Sequence, residues 1–407
     1  MRGSQVLASA FVVGGVGWLC ISAAGVARAD HQAWIRLHPT GGPPSARERH
    51  SAVYDSSTNR MIVFGGRDSG FNALDEVWVL ENANGLGSTP NWTPLSPTGT
   101  SPGPRILHSA VYDQSTNTMI VFGGRDASNS TVAANVFVLE HANGLGGTPN
   151  WVPLSTSGGP PTARYRHSAV YDAANNTMTI FGGAGAGYLN DVWVLSHANG
   201  SGGTPTWTPL TPTGGPPTGR SSTSAIYDSS TNTMTIFAGF NGSSGTTVFD
   251  DVWVLSHANG MGGTPEWTEL SPAGTPPAAR TEHTAVFDTA ENEMLVFGGD
   301  DVQGTEFNDV WALSNPNGVG TPQWTLLTPT GGPPAARLLH SAVYDAIILI
   351  GRMTVFGGTD GTDRLNDVWV LADIPPSSGA PALTPLPLIA LALTMLLVGV
   401  YRAHRAR

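Results

Sequence analysis

Six arginines, Arg47, Arg105, Arg164, Arg220, Arg280 and Arg337, recur about every 58 residues, a spacing in the range of architectural repeats. Three positions after each stands a histidine, His50, His108, His167, His283 and His340, with Thr223 in the remaining place. A ring of guanidinium forks would clamp a carboxylate, a sulfate or a sugar acid, and an imidazole or carboxylate beside it could move protons. The same repetition has a plainer reading. A residue present in every copy serves a need that every copy has, such as bonding a neighbouring copy's carbonyls. A second group does not repeat: Arg67, Arg125, Tyr188, Phe240, Asp300, Asp301 and Arg364 fall in the one segment that varies between copies. Together with the arginine column they are the candidate ligand-binding residues. The acidic pairs Asp250-Asp251 and Asp300-Asp301 have calcium-ligand chemistry, although carboxylates at such places more often cap turns.

Four short β-rich runs make up each copy, as in His50–Tyr54, Met61–Phe64, Val77–Leu80 and Trp92–Leu95. They are designated a, b, c and d. The a–b connection ends in asparagine, which tolerates a left-handed backbone, and proline in d (Pro94, Pro153, Pro209) marks an outer strand. Spacing within the copy is rigid in two places. Arginine to second glycine is 19 residues in the first five copies (66 − 47 through 299 − 280), and d-strand tryptophan to the next arginine is always 13 (105 − 92 through 337 − 324). Only the b–c connection drifts, from 10 (193 − 183) to 14 (253 − 239). Because antiparallel strands alternate in direction, b–c and d–a connections share one face, and that face is where a ligand is expected.

The R-x-x-H columns, the F-G-G doublets (Gly65-Gly66, Gly123-Gly124, Gly182-Gly183, Gly298-Gly299, Gly357-Gly358, with Ala238-Gly239 departing) and the later tryptophans resemble kelch repeats. The resemblance covers about Trp34 to Leu371. It implies an all-β fold, a six-bladed kelch-type β-propeller over 33–371, and a function as a binding module, a scaffold or, in a few relatives, an enzyme. In some kelch proteins arginines near the start of the inner strand line the ligand mouth, and the six-arginine column resembles them. The last copy lacks a d run, while Trp34-Ile35-Arg36-Leu37 supplies one ahead of the first arginine, so the N-terminal strand should close the last blade. The sixth copy also replaces its polar a–b turn with Asp345–Met353, which is longer and apolar.

Both ends read as addresses. Residues 1–29 have the pattern of a signal peptide, with small residues at Ala27 and Ala29 before a cleavage point. Residues 372–385 form a Pro/Ser/Gly/Ala-rich linker, 386–401 an apolar membrane segment, and 402–407 a basic tail. That order resembles the C-terminal sorting signals of exported bacterial proteins, a plain transmembrane anchor being the alternative. An exported, surface-anchored, monomeric propeller is expected.

Composition removes several functions. The net charge is −11 and no lysine occurs, which argues against nucleic-acid binding and excludes Schiff-base chemistry. Cys20, the only cysteine, lies in the leader, so disulfides, thiolate metal sites and the cysteine–tyrosine cofactor of a copper-radical oxidase among kelch relatives are all excluded from the body. No cofactor or metal is expected. The expected role is protein or glycan binding through the b–c/d–a face, the alternative being a carbohydrate-active epimerase, mutarotase or lyase on an acidic sugar.

Overall fold

The computed structural model describes residues 32–126, 132–242, 246–347 and 350–373. The leader, the apolar segment and the basic tail lie outside the described residues. Six sheets of four antiparallel strands are arranged around an axis, each ordered a-b-c-d from the inside out, and in blade 2 the short strand Thr98–Gly99 adds a parallel fifth outside d. In blade 1 the strands are Ser51–Asp55, Arg60–Phe64, Val77–Glu81 and Asn91–Leu95. Each inner strand a touches the strand a of the blades before and after it, which closes the ring. The outer strand of blade 6 is Gln32–Leu37, antiparallel to Val368–Asp373 with Trp34 opposite Leu371. Closure by the N-terminal strand thus follows the sequence expectation, and strand c runs two residues, Ala372 and Asp373, into the segment expected to be linker.

The core lies between blades, not at the axis. One cluster joins Phe64 and Val79 of blade 1 to Met119, Leu139 and Trp151 of blade 2, and equivalent clusters recur around the ring. The d-strand tryptophan of each blade packs on the b-strand phenylalanine of the blade before it. The six pairs, from Trp92 on Phe356 to Trp34 on Phe297, have ring centroids 4.9–5.2 Å apart. A flat sheet buries its faces only by stacking on neighbours, so every blade depends on the next.

The glycine doublet follows from this stacking. Gly65 and Gly66 have φ of 68° and 99°, and a Cβ on Gly65 would meet the Arg105 carbonyl at 2.7 Å. Absence of side chains lets Gly66 N–H donate to that carbonyl at 3.1 Å, a bond between blades 1 and 2. Asn59, Asn117, Asn176, Asn232 and Asn292 close the a–b hairpins with φ of 50–54°, the left-handed conformation expected of them. In blade 6 the hairpin is longer, with Ser341–Ile347 and Ile350–Phe356 paired up to Ile347 opposite Ile350. Ile348 and Leu349, the centre of the expected apolar turn, lie outside the described residues.

The inner strands line the axis with aliphatic side chains and with the column tyrosines. Val53, Val111, Val170, Ile226, Val286 and Val343 contribute to a cavity of about 310 Å³.

Candidate functional site at the channel mouth

The arginine column turns inward to the blade. Arg47, Arg164, Arg220, Arg280 and Arg337 are buried to 1 % exposure or less, at the junction of the d–a and b–c connections. Arg280 is representative. Its Nε donates to Ala278 O at 3.1 Å, Nη1 to Gly298 O at 3.0 Å, and Nη1 and Nη2 fork onto Asp309 at 2.8 and 2.9 Å. Trp311 Nε1 donates to the same carboxylate at 2.6 Å. Asp191, Asp251 and Asp367 repeat this for Arg164, Arg220 and Arg337. Burial opposes ionisation of Asp309, yet the bonds from Arg280 hold its carboxyl below the usual range. Arg47 pairs with Glu76 at 2.6 Å. In blade 2 both partners change together: Asn135 receives Arg105 at 3.2 Å and Phe137 replaces the tryptophan. Burial without a carboxylate pushes Arg105 down to about 10. This geometry is that of the blade-building role. The acidic residue two places before the c-strand tryptophan is thus the arginine's partner, a signal carried by the repeated D-V-W, and Asp251 of the acidic pair Asp250-Asp251 is committed to Arg220 and Trp253.

The histidines also bond between blades. His50 Nε2 lies 2.8 Å from Ser341 Oγ, and His108, His167, His283 and His340 reach Ser51, Ser109, Ser224 and Thr284 at 2.7–2.8 Å. Each ring packs edge-on against the preceding blade's phenylalanine at 5.1–5.3 Å. Burial, reinforced by the nearby column arginine, lowers His50, His167 and His283 to about 3. They are therefore neutral at physiological pH. At the break in the column Ser168 Oγ donates to Thr223 O at 2.6 Å.

Between each arginine and histidine lies the position that shapes the mouth. Arg49, Leu107, Arg166, Ser222, Glu282 and Leu339 all have φ of 56–62°. Their backbones link head to tail: Leu107 N–H donates to Arg49 O, Arg166 to Leu107, Ser222 to Arg166, Arg49 to Leu339 and Leu339 to Glu282, at 2.9–3.1 Å. This collar bounds a cavity of about 150 Å³. Its side chains are two arginines, two leucines, a serine and a glutamate, which breaks the ring's symmetry at its axis.

The b–c loops extend the asymmetry outward, pairing back onto the residue after each column arginine, as Arg67 does with Glu48. Glu48, with a side chain only 3 % exposed, meets three arginines: Arg67 through Nε at 2.8 Å, Arg364 at 3.2 Å and Arg49 at 3.5 Å. Arg125 stacks on Tyr165 with Cζ 4.3 Å from the ring centroid. Arg166 pairs with Glu282 at 2.7 Å, and Ser222 Oγ donates to Glu282 at 3.0 Å. Tyr188 meets Phe240 edge-on at 5.7 Å. On blade 5, burial and then the nearby Glu282 charge push Asp300 up to about 6. Asp300 and Asp301 accept backbone N–H groups of Val302, Gln303 and Thr305 at 2.8–3.2 Å, the turn-capping geometry. The mouth thus has an arc of arginines on blades 6, 1, 2 and 3, interleaved with Asp360, Asp363, Glu48, Asp68 and Asp126, and an acidic sector on blade 5.

Phe71 stands on the arginine arc. It is 59 % exposed and has φ of 64°, a backbone region that aromatic residues rarely occupy. Arg67 and Arg364 sit over its ring at 5.1 and 4.6 Å. Across the mouth, Val302 is 37 % exposed with φ of 57°. Phe71 belongs to the variable b–c loop where a ligand is expected from sequence, but its left-handed backbone, like that of Val302, did not follow from the repeat pattern, because backbone conformation in a loop of unmatched length has no column to read.

Three stretches of the chain, 6–144, 116–261 and 261–373, match the KLHDC2/KLHL20/DRC7 Kelch-repeats domain. Acyl-CoA-binding domain-containing protein 5 of Arabidopsis thaliana is 28 % identical over 302 residues, covering 72 % of this chain and 41 % of that protein. Host cell factor 1 of Homo sapiens is 28 % identical over 372 residues, covering 83 % and 17 %. The chain therefore spans less than half the length of these relatives. Among solved structures, that of YjhT superposes with a TM-score of 0.57 at 15 % identity, covering 82 % of this chain and 95 % of that one. A chain of the RAG complex with one melted and one unmelted RSS gives 0.55 at 12 % identity, covering 84 % and 100 %. These two likenesses concern the fold. With six stacked four-stranded blades and family matches along nearly its whole length, the chain belongs to the Kelch-repeat family.

Proposed function

We propose that this propeller is an exported, surface-anchored binding module that takes an acidic protein segment or glycan at the b–c/d–a face. The observation that carries the reading is Phe71, an exposed aromatic ring kept in a strained conformation between Arg67 and Arg364. Strain of this kind costs about 1–3 kcal/mol and persists where a site uses it. Beside it Arg49, Arg67 and Arg364 outnumber the Glu48 carboxylate they share, which suits a ligand with an anionic group and an apolar anchor. Kelch-repeat membership is compatible with such a role.

The test is a binding screen on arrays of acidic and neutral peptides and glycans, run with wild type and Phe71→Gly. Glycine is at ease at φ of 64°, so the variant should keep or raise the melting temperature. Binding should fall about tenfold, the loss of ~1.4 kcal/mol of contact. Unchanged binding would remove Phe71 from the site.

One observation favours a second reading, a carbohydrate-active enzyme on an acidic sugar. Asp300, at about 6, stands beside the Glu282–Arg166 pair and could exchange a proton near neutral pH. The proton donor would then be Asp300 and the clamp Arg49 or Arg166, since the histidines are buried and neutral. Turnover of any acidic-sugar hit, lost in Asp300→Asn, would select this reading.

A further inference from the structure

The opposite face of the ring, which bears the a–b and c–d loops, is built differently. The five complete c–d loops, 82–90, 141–149, 197–205, 257–265 and 315–322, contain no Asp, Glu or Arg. The a–b turn tips between them add one exposed carboxylate, Glu291. Every loop tip is fixed by an asparagine. Leu145 N–H donates to Asn143 Oδ1 at 2.8 Å, and Asn117 Nδ2 donates to Leu145 O at 3.0 Å. Asn143 is held in turn by Asp55 of the preceding blade at 2.7 Å. Met261 has the same arrangement through Asn259, Asn232 and Asp172, and Leu86 and Val319 through Asn84 and Asn317. With the backbone satisfied, the tip side chain points out. Leu86, Leu145, Met261 and Val319 are 37, 41, 43 and 61 % exposed, and blade 3 has Ser201 in this place.

Scattered exposed apolar residues are ordinary on a protein surface. These occupy one equivalent position in four blades, on loops fixed by hydrogen bonds, and the carboxylates nearest them, Glu81, Glu140 and Glu266, stand at the strand ends that flank the loops. The sixth position of the circle is where the described chain begins and ends, with Gln32 Nε2 donating to Asp373 Oδ1 at 3.0 Å. Strand c of blade 6 runs toward this face, so the chain beyond Asp373 leaves from it. Twelve residues (374–385) then separate the ring from the apolar run 386–401. Such a tether spans at most ~40 Å when fully extended.

We infer that this face is a membrane-contact surface, whose apolar tips seat in the interfacial layer of a bilayer and turn the mouth toward the outside. The inference rests on the reading of 386–401 as a membrane segment and deepens it, since a tether alone would leave the ring free to tumble. The contact is apolar, not electrostatic. A chain of net charge −11 gains nothing from anionic lipid, and the contact should survive high salt.

The test uses the mature chain from Asp30 to Arg407, which contains no cysteine, reconstituted in phosphatidylcholine vesicles. Leu145→Cys or Met261→Cys carries an environment-sensitive nitrobenzoxadiazole label, and Ser69→Cys on the mouth serves as control. Flotation with the vesicles reports the tail. The expected result is a blue shift and quenching by shallow doxyl lipids at positions 145 and 261, unaltered by salt, with position 69 water-like. In a Leu86→Glu/Met261→Glu variant labelled at position 145, flotation should persist while the blue shift is lost. Flotation with water-like labels at 145 and 261 overturns the docked face and leaves the anchor intact. Failure to float overturns the anchor and the docked face together. A blue shift that appears in lipid-free detergent and grows with protein concentration assigns the tips to a second copy of the chain and overturns the inference as well.

Discussion

Replacing Arg280 by alanine strips two backbone carbonyls of a donor and leaves Asp309 with only Trp311 as a side-chain donor. Breaking a buried ion pair on one side costs about 3–5 kcal/mol, and the partial exposure of Asp309 places Arg280→Ala near the lower end, about 3 kcal/mol. Arg280→Lys should recover little, because one ammonium cannot reproduce the fork. Equilibrium denaturation measures both, and a cost within 0.5 kcal/mol, roughly that of a neutral surface change, would contradict the blade-building role. The histidines make a pH prediction. His283 falls from 6.5 unfolded to about 3 folded, so its contribution is complete above pH 6.5 and is lost as the pH drops toward 3. Each such histidine adds about one proton, or ~1.4 kcal/mol per pH unit, to the acid slope of stability. Asp300 works the other way, because its raised carboxyl gains stability as it protonates below about 6, but it is one group against five. His283→Thr, which copies what blade 4 has at Thr223, should lower the slope by about one proton between pH 6 and 4. An unchanged slope would mean that the imidazole is not held neutral by burial.

At the scale of the strand, the ring closes through Gln32–Leu37, whose Trp34 is 3 % exposed and packs on Phe297. Trp34→Ala should cost about 3–5 kcal/mol, as for other large-to-small core changes, and calorimetry should show a single lowered transition. A melt equal to wild type would show that the sixth blade does not need its fourth strand. Much of this architecture was legible because stacking imposes the same contacts six times, so the Phe64, His108 and Trp151 columns appear as repeated letters. What varies between blades was less legible. The collar from Arg49 to Leu339 lies between two constant columns, yet it shares only a left-handed backbone and a run of five hydrogen bonds, which letters do not show. The long hairpin Thr233–Asn241 with Thr247–Ser256 in blade 4 was hidden similarly. Ala238, at φ of 59°, stands where the other blades have glycine, and the ladder resumes beyond a register shift at Phe237/Gly239.

The whole molecule has two unlike faces. Around the mouth, arginines, carboxylates and strained exposed side chains break six-fold symmetry, whereas the five opposite c–d loops repeat one uncharged, asparagine-fixed form. Arg67, Arg125, Tyr188, Phe240, Asp300, Asp301 and Arg364 all belong to the first face, because every b–c loop folds back onto the d–a segment before strand a. A scaffold of identical blades gives rigidity, and departures from identity locate recognition. The most direct measurement compares binding of one peptide or glycan from the array screen to wild type, Phe71→Gly and Leu145→Glu/Met261→Glu in solution. Loss of about tenfold in the mouth variant, with affinity retained in the loop-tip variant, is the predicted result. Retained affinity in the mouth variant, with loss in the loop-tip variant, would contradict the account by placing recognition on the other face.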